Sequence, residues 1–295
     1  MGAESKFLTP GVRSMFFSTL AFSLANAFVK QVAHIPAMET VFFRCAVATF
    51  FCLIGLQRAK ADLIGQNHLF LLLRGMFGTT ALFCFFLTLQ QMPLASAMTI
   101  QYLSPIFTTV FAIFVLSEKV KIAQWLFYAM AFGGVVIIDR FDDRISPFYL
   151  AVGILSAAAS GMAYNLVRSL RGKEHPLTIV FHFQGIGMVV GFVSLFFEWK
   201  MPEGWDWLFL FLIGVFSQLG QIFLTNALQR ERVAGVAIIN YTGLVYALTI
   251  GWFVFGESQG IIALLGMLIV VTGVIMSVMY GRWQNRLAAI EVTAS

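Results

Sequence analysis

Ten apolar segments of about 20 residues, joined by short polar connections, account for most of this 295-residue chain. A helix that crosses a bilayer needs about 20 mostly apolar residues, and a spanning helix satisfies its own backbone hydrogen bonds. The segments lie near 12–32, 37–56, 68–91, 96–116, 121–138, 149–170, 177–197, 205–228, 234–255 and 259–280. Only 11% of the residues are charged, against roughly 25% in soluble domains. A water-facing surface cannot be built from that, and the connections leave no room for a separate soluble domain. The first segment carries Asn26 and Lys30 in a stretch too long for a signal-peptide core, so it reads as a retained first helix.

The basic excess follows membrane orientation, not nucleic acid, because it is scattered between apolar segments and forms no single patch. With the N-terminus inside, the inner connections hold Lys6, Arg13, Arg58, Lys60, Lys119, Lys121, Arg171, Lys173, Arg230, Arg232, Arg282 and Arg286. The outer ones hold Arg140, Arg144 and Lys200. Lys and Arg asymmetry of this kind sets topology, so both termini are expected in the cytoplasm and the chain in a bacterial-type inner membrane. Cys45, Cys52 and Cys84 lie within apolar segments without CxxC spacing and read as packing residues.

Shifting the chain by about 139 positions superposes its halves. Gln90 falls on Gln229, Ala95 on Ala234, Gln101 on Asn240, Tyr102 on Tyr241, Phe114 on Phe253, Glu118 on Glu257 and Gly134 on Gly273, while a shift of about 138 places Lys30 on Arg168. Five helices per half, an odd number, make the second half enter the membrane inverted, an arrangement common in alternating-access transporters. The expected fold is therefore all-α and membrane-integral, with ten transmembrane helices in two inverted five-helix repeats. The first repeat spans 1–145, the second 146–282, and 283–295 forms a cytoplasmic tail.

No HExxH, GxSxG or P-loop is present and the four histidines lack metal spacing, so no catalytic residue, metal or cofactor is expected. Ionisable groups inside a membrane are costly and usually face a wet cavity. Lys30, Arg44 and His182 are site candidates on that ground, with Arg44 suited to a carboxylate or phosphate and His182 to a proton-responsive role. Arg74 and Arg168, near the inner ends of their helices, are expected to reach lipid headgroups. The repeat-related pairs Gln101-Tyr102 and Asn240-Tyr241 would face each other across a central cavity, and Asn165 adds an amide on a third helix. Ser104-Pro105 should interrupt its helix, and Gly243-Leu244 stands at the matching position.

Several stretches carry a resemblance. They are "FFRCAVATFF", "LLLRGMFGTTAL", "MPLASAMTIQYLSPIFTTVFAIFVLSEKV", "GGVVII" and, in the second half, "RVAGVAIINYTGLVYALTIGWFVFGE". Over nearly the whole chain the sequence resembles the EamA family of the drug/metabolite transporter superfamily. The second half keeps Glu257 and Gly273-Val274 but lacks the proline. The resemblance implies ten helices in inverted repeats around a cavity that opens alternately to each side, and Glu118 and Glu257 at short turns are read as caps of the following helices.

The function expected is secondary transport of a small organic metabolite bearing a carboxylate or phosphate. An exporter of neutral or aromatic amino acids or drug-like compounds is the alternative, and a non-transporting scaffold or lipid-handling protein the alternative of another class. Expected partners are the small-molecule substrate and membrane lipids, with a homodimer also open.

Overall fold

In the computed structural model, residues 10–115, 122–230 and 239–294 are described. Among them there are helices and connections but no strand. The helices are α1 (Pro10–Gln31), α2 (Ala37–Ala59), α3 (His68–Gln91), α4 (Leu94–Gln101), α5 (Ser104–Val115), α6 (Ile122–Phe141), α7 (Pro147–Ser169), α8 (Pro176–Ser194), α9 (Asp206–Arg230), α10 (Thr242–Phe255) and α11 (Ile261–Ala294). Eight helical stretches, with α4 and α5 taken together, are long and apolar enough to cross a membrane, and Ile122–Ile138 and Thr242–Phe255 are shorter apolar helices. The helix of α11 continues beyond Tyr280, through the segment expected to form a tail.

Several helix ends are set by local features. Proline at the first or second helical position opens α7 and α8, where its missing N–H costs nothing. Lys60 and Gly256 end α2 and α10 in the left-handed conformation.

Helices of the first half pack mainly against helices of the second: α1 on α9, α2 on α8, α3 on α7, and α6 on α11. These pairs run antiparallel. Ser18 donates to the carbonyl of Gly220 at 2.8 Å while His34, beyond the end of α1, meets Asp206 at the start of α9 at 2.9 Å. Gly134 and Gly273, the repeat-related pair, let α6 and α11 approach backbone to backbone. A Cβ at Gly134 would lie 2.7 Å from the carbonyl oxygen of Gly266, and one at Gly273 would lie 2.9 Å from Ala131 N and Phe127 O.

Polar contacts define two rims. At one, Lys30 pairs with Glu257, Gln90 donates to Ile35 O at 3.0 Å, and Lys200 N donates to Glu39 at 2.9 Å. At the other, the Glu174 carboxylate accepts from Gln66 N, Asn67 N and Asn67 Nδ2 at 2.6 to 2.8 Å. Partial burial opposes ionisation of Glu174, but these three donors and nearby His182 outweigh it and hold the carboxyl below its usual range. A large apolar core that includes Val29, Val41, Leu89, Ile100 and Val270 lies toward the first rim, and a smaller one of Met15, Leu71, Val167, Leu224 and Leu228 toward the second. Exposed Phe50, Phe114, Phe192, Phe196 and Trp252 make the bundle's outer face apolar.

Candidate functional site

Between the two cores the buried residues turn polar, and a cavity of about 140 Å³ opens there. It is lined from six elements and more, among them Asn26 of α1, Arg44 of α2, Arg74 of α3, Gln101 of α4, Ser160 of α7 and Gln221 of α9. Phe22, Phe85, Phe86, Tyr164 and Phe183 give its apolar wall. Among the described residues, no Asp or Glu lines it. Every acidic residue in the described part of the chain sits in a connection or in the first or last turn of a helix.

Two guanidinium groups are therefore the charges among its described lining residues. Arg44 is 2% exposed and Arg74 3% exposed. Both stand against one ring, with Arg74 Cζ 4.4 Å and Arg44 Cζ 5.4 Å from the centroid of Phe183. Arg44 Nη1 donates to Gln184 Oε1 at 3.1 Å and meets Cys45 Sγ at 3.6 Å. Arg74 Nε and Nη1 are buried without a hydrogen-bond partner. Arg74 thus departs from the expectation that it reaches lipid headgroups. Gly78, one turn along α3, leaves the space its guanidinium fills: a Cβ there would collide with Nη1.

The paired positions of the repeat meet as well. Tyr102 and Tyr241 stack edge to face with centroids 5.0 Å apart. Tyr102, Gln101 and Asn240 line the cavity, while Tyr241 lies behind Tyr102. Gln101 Nε2 donates to Ser160 at 2.8 Å and its Oε1 accepts from Ser156 at 3.0 Å. The helix breaks at residues 102–103, where Pro105 offers no N–H to the carbonyl of Gln101. It breaks at Tyr241 too, without a proline: Leu244 N reaches only to Tyr241 O, at 3.0 Å, and Thr242 Oγ1 takes Ile239 O at 2.7 Å.

Three other candidates lie elsewhere. Lys30 binds Glu257 and donates to Met92 O at 2.6 Å, at the first rim. Asn165, fully buried, donates to Thr108 O at 2.8 Å and Gly161 O at 3.3 Å, tying α7 to α5. The His182 ring sits 3.0 Å from Thr178 O on its own helix. Glu257 Oε2 accepts from Leu94 N at 2.9 Å, so it caps α4 and not the helix that follows it, because the left-handed Gly256 turns the chain back. Glu118 falls outside the described residues.

A bundle of long apolar helices, apolar on its outer face and polar around an internal cavity, is the build of a multi-pass membrane carrier. The chain belongs to the EamA-like transporter family, whose model matches residues 9–139 and 147–279, within the drug/metabolite transporter superfamily; these proteins are transporters and not enzymes. Similar proteins include the pseudopaline exporter CntI of Pseudomonas aeruginosa, 32% identical over 91% of this chain and 95% of that one. Human solute carrier family 35 member G1 is 32% identical over 83% of this chain and 73% of its own. The S-adenosylmethionine uptake transporter of Rickettsia felis is 24% identical over 87% of this chain and 88% of its own. A crystal structure with 17% identity superposes with a TM-score of 0.64, covering 93% of this chain and 98% of the other, and so shares the fold.

Proposed function

We propose that this protein is a secondary transporter that moves a small organic anion, bearing a carboxylate or phosphate, across a bacterial-type inner membrane. The observation that carries the reading is the pair of buried guanidiniums, Arg44 and Arg74, in a cavity with no carboxylate among its described lining residues. A buried charge left uncompensated is strongly unfavourable. A guanidinium cannot relieve the penalty by losing its proton. An anion that enters the cavity supplies the missing charge, with Gln101, Asn240, Asn26 and Gln221 to orient it and the aromatic wall to take its apolar part.

Ten spans in two inverted repeats, with both termini cytoplasmic, are the architecture of this reading. The antiparallel pairing of α2 with α8 and of α6 with α11 supports it, since in each pair the two helices hold equivalent places in the halves. So do the matching helix breaks at Tyr102 and Tyr241. Alternating access follows: the halves rock about the central cavity so that one rim opens at a time. Rocking of this kind needs no ATP site, and no P-loop occurs in the sequence.

The test is ligand-dependent melting of the purified protein against carboxylates, phosphate esters, amino acids and neutral amphiphiles. A ligand at about 100 times its Kd stabilises by roughly 2.7 kcal/mol. The expected result is stabilisation by an anion and its weakening in Arg44→Ala. Stabilisation by neutral compounds alone, retained in Arg44→Ala, would replace this reading with export of neutral or aromatic solutes.

A further inference from the structure

Among the described residues, the Lys and Arg side chains paired with a carboxylate lie at the rims. Lys30 has Glu257, and Arg144 has Asp142 at 2.7 Å. Arg44 and Arg74 are more deeply buried than either and have no carboxylate partner among the described residues. They come from different helices, yet both rest against Phe183, at 5.4 and 4.4 Å from its centroid, so their charges lie at most about 10 Å apart. Gln184 further steadies Arg44, and Gln184 Nε2 is itself 3.4 Å from Gln218 Oε1. Two guanidiniums carry ten N–H donors between them. Among the described residues, Arg44 Nη1 meets Gln184 and Cys45, while Arg74 Nε and Nη1 meet no acceptor. One negative charge entering this cavity would leave a buried cation uncompensated.

We infer that the cavity takes a small organic dianion, its two negative charges shared between Arg44 and Arg74; the inference rests on the anion-transport reading above and adds the charge number. A dicarboxylate places one carboxylate on each guanidinium. A phosphate monoester places one doubly charged head between them. Carboxylate and phosphate both match the planar fork of arginine. The aromatic wall receives the carbon skeleton in either case.

The experiment measures binding to the full-length protein in detergent near pH 7.5, by melting shift and calorimetry. Succinate and glutarate are compared with their monomethyl esters, and phenyl phosphate with methyl phenyl phosphate. The phosphate monoester carries its second charge at that pH, since its second pKa is about 6. Sulfate is compared with chloride at equal ionic strength. In the wild type at least one dianion is expected to bind tenfold or more tightly than its monoanionic partner. Arg74→Gln and Arg44→Gln should each erase that difference while keeping monoanion binding. Arg74→Lys should preserve part of it. Preference for phenyl phosphate assigns a single doubly charged head, and preference for a dicarboxylate assigns two separated groups.

Equal affinity for mono- and dianions, or dianion binding unchanged in Arg74→Gln, overturns the inference while leaving anion transport standing. Binding of neutral compounds only overturns both. If no organic anion binds, sulfate decides: a gain over chloride in the wild type that is absent from both Gln variants supports the inference, and equal gains in all three proteins overturn it. The unliganded Gln variants should melt no lower than the wild type, because each loses an uncompensated buried charge, and this control separates lost binding from lost folding.

Discussion

At the scale of single residues, what separates the cations is whether a carboxylate waits for them. At an effective dielectric of about 20, two charges 10 Å apart repel by roughly 2 kcal/mol, a penalty that Arg44 and Arg74 carry and that Lys30 escapes through Glu257. Glu257 joins three pieces of chain, taking the Lys30 ammonium with one oxygen and the Leu94 amide at the start of α4 with the other. Glu257→Ala should therefore lower stability by about 1.5 to 3 kcal/mol, the range for hydrogen bonds to charged groups. Glu257→Gln, which keeps an acceptor for Leu94, should cost less. Thermal unfolding of the two variants checks this, and equal, negligible losses would remove the cap from the account. Arg44 could be found in the sequence because it stands two turns inside an apolar segment. Arg74 could not, because six residues from the start of α3 looks like snorkelling distance. The signal that was available was Gly78, which gives the guanidinium room to turn inward. Asn165 and His182 drew attention as polar groups in apolar helices, and neither lines the cavity; the side chains of each meet backbone carbonyls. Periodicity does not tell which way a polar side chain is satisfied.

At the scale of elements, the repeat told more than any motif. It related Gly134 to Gly273, and the two helices that carry them, α6 and α11, approach until backbone meets backbone at both glycines. Gly134→Ala places a Cβ 2.7 Å from the Gly266 carbonyl oxygen and 2.8 Å from Val270 N. Backbone cannot swing aside as a side chain does, so the cost is expected at about 1 to 3 kcal/mol. Gly133→Ala, where a Cβ would meet nothing within 4 Å, is the matched control and should be neutral. Thermal unfolding of the pair measures the difference. The break in the first half was legible as Pro105. The break at Tyr241 was not, since it comes from shortened backbone bonds and the Thr242 hydroxyl, which leave no distinctive residue type behind. Glu257 was recognised as a cap, but its target is α4, distant in sequence; a turn signal gives the reversal and not what the reversed chain meets.

At the scale of the whole molecule, the run of apolar segments announced an integral membrane bundle, and eight helical stretches keep close to spans read from it, while part of the span 234–255 lies outside the described residues. Sidedness rests on the Lys and Arg distribution and can be measured directly. Cys45, Cys52 and Cys84 are buried and unpaired, so background labelling should be low. Single cysteines at the exposed positions Asp143 and Glu203 should react with a membrane-impermeant maleimide added to intact cells. Cysteines at Lys60 and Lys173, also exposed, should react only after lysis. The reverse pattern would invert the orientation proposed. How helices of the two halves interleave was beyond the sequence, because apolar faces suited to lipid and to a neighbouring helix have the same composition.

The two unmatched cations also make the centre of the bundle an electrical element. Moving one elementary charge through 100 mV is worth about 2.3 kcal/mol. Any rearrangement that shifts the empty cavity along the membrane normal is therefore driven or resisted by the membrane voltage, and an anion held between Arg44 and Arg74 reduces that dependence in proportion to the charge it brings. The loaded and empty forms of the carrier would then answer differently to the same voltage.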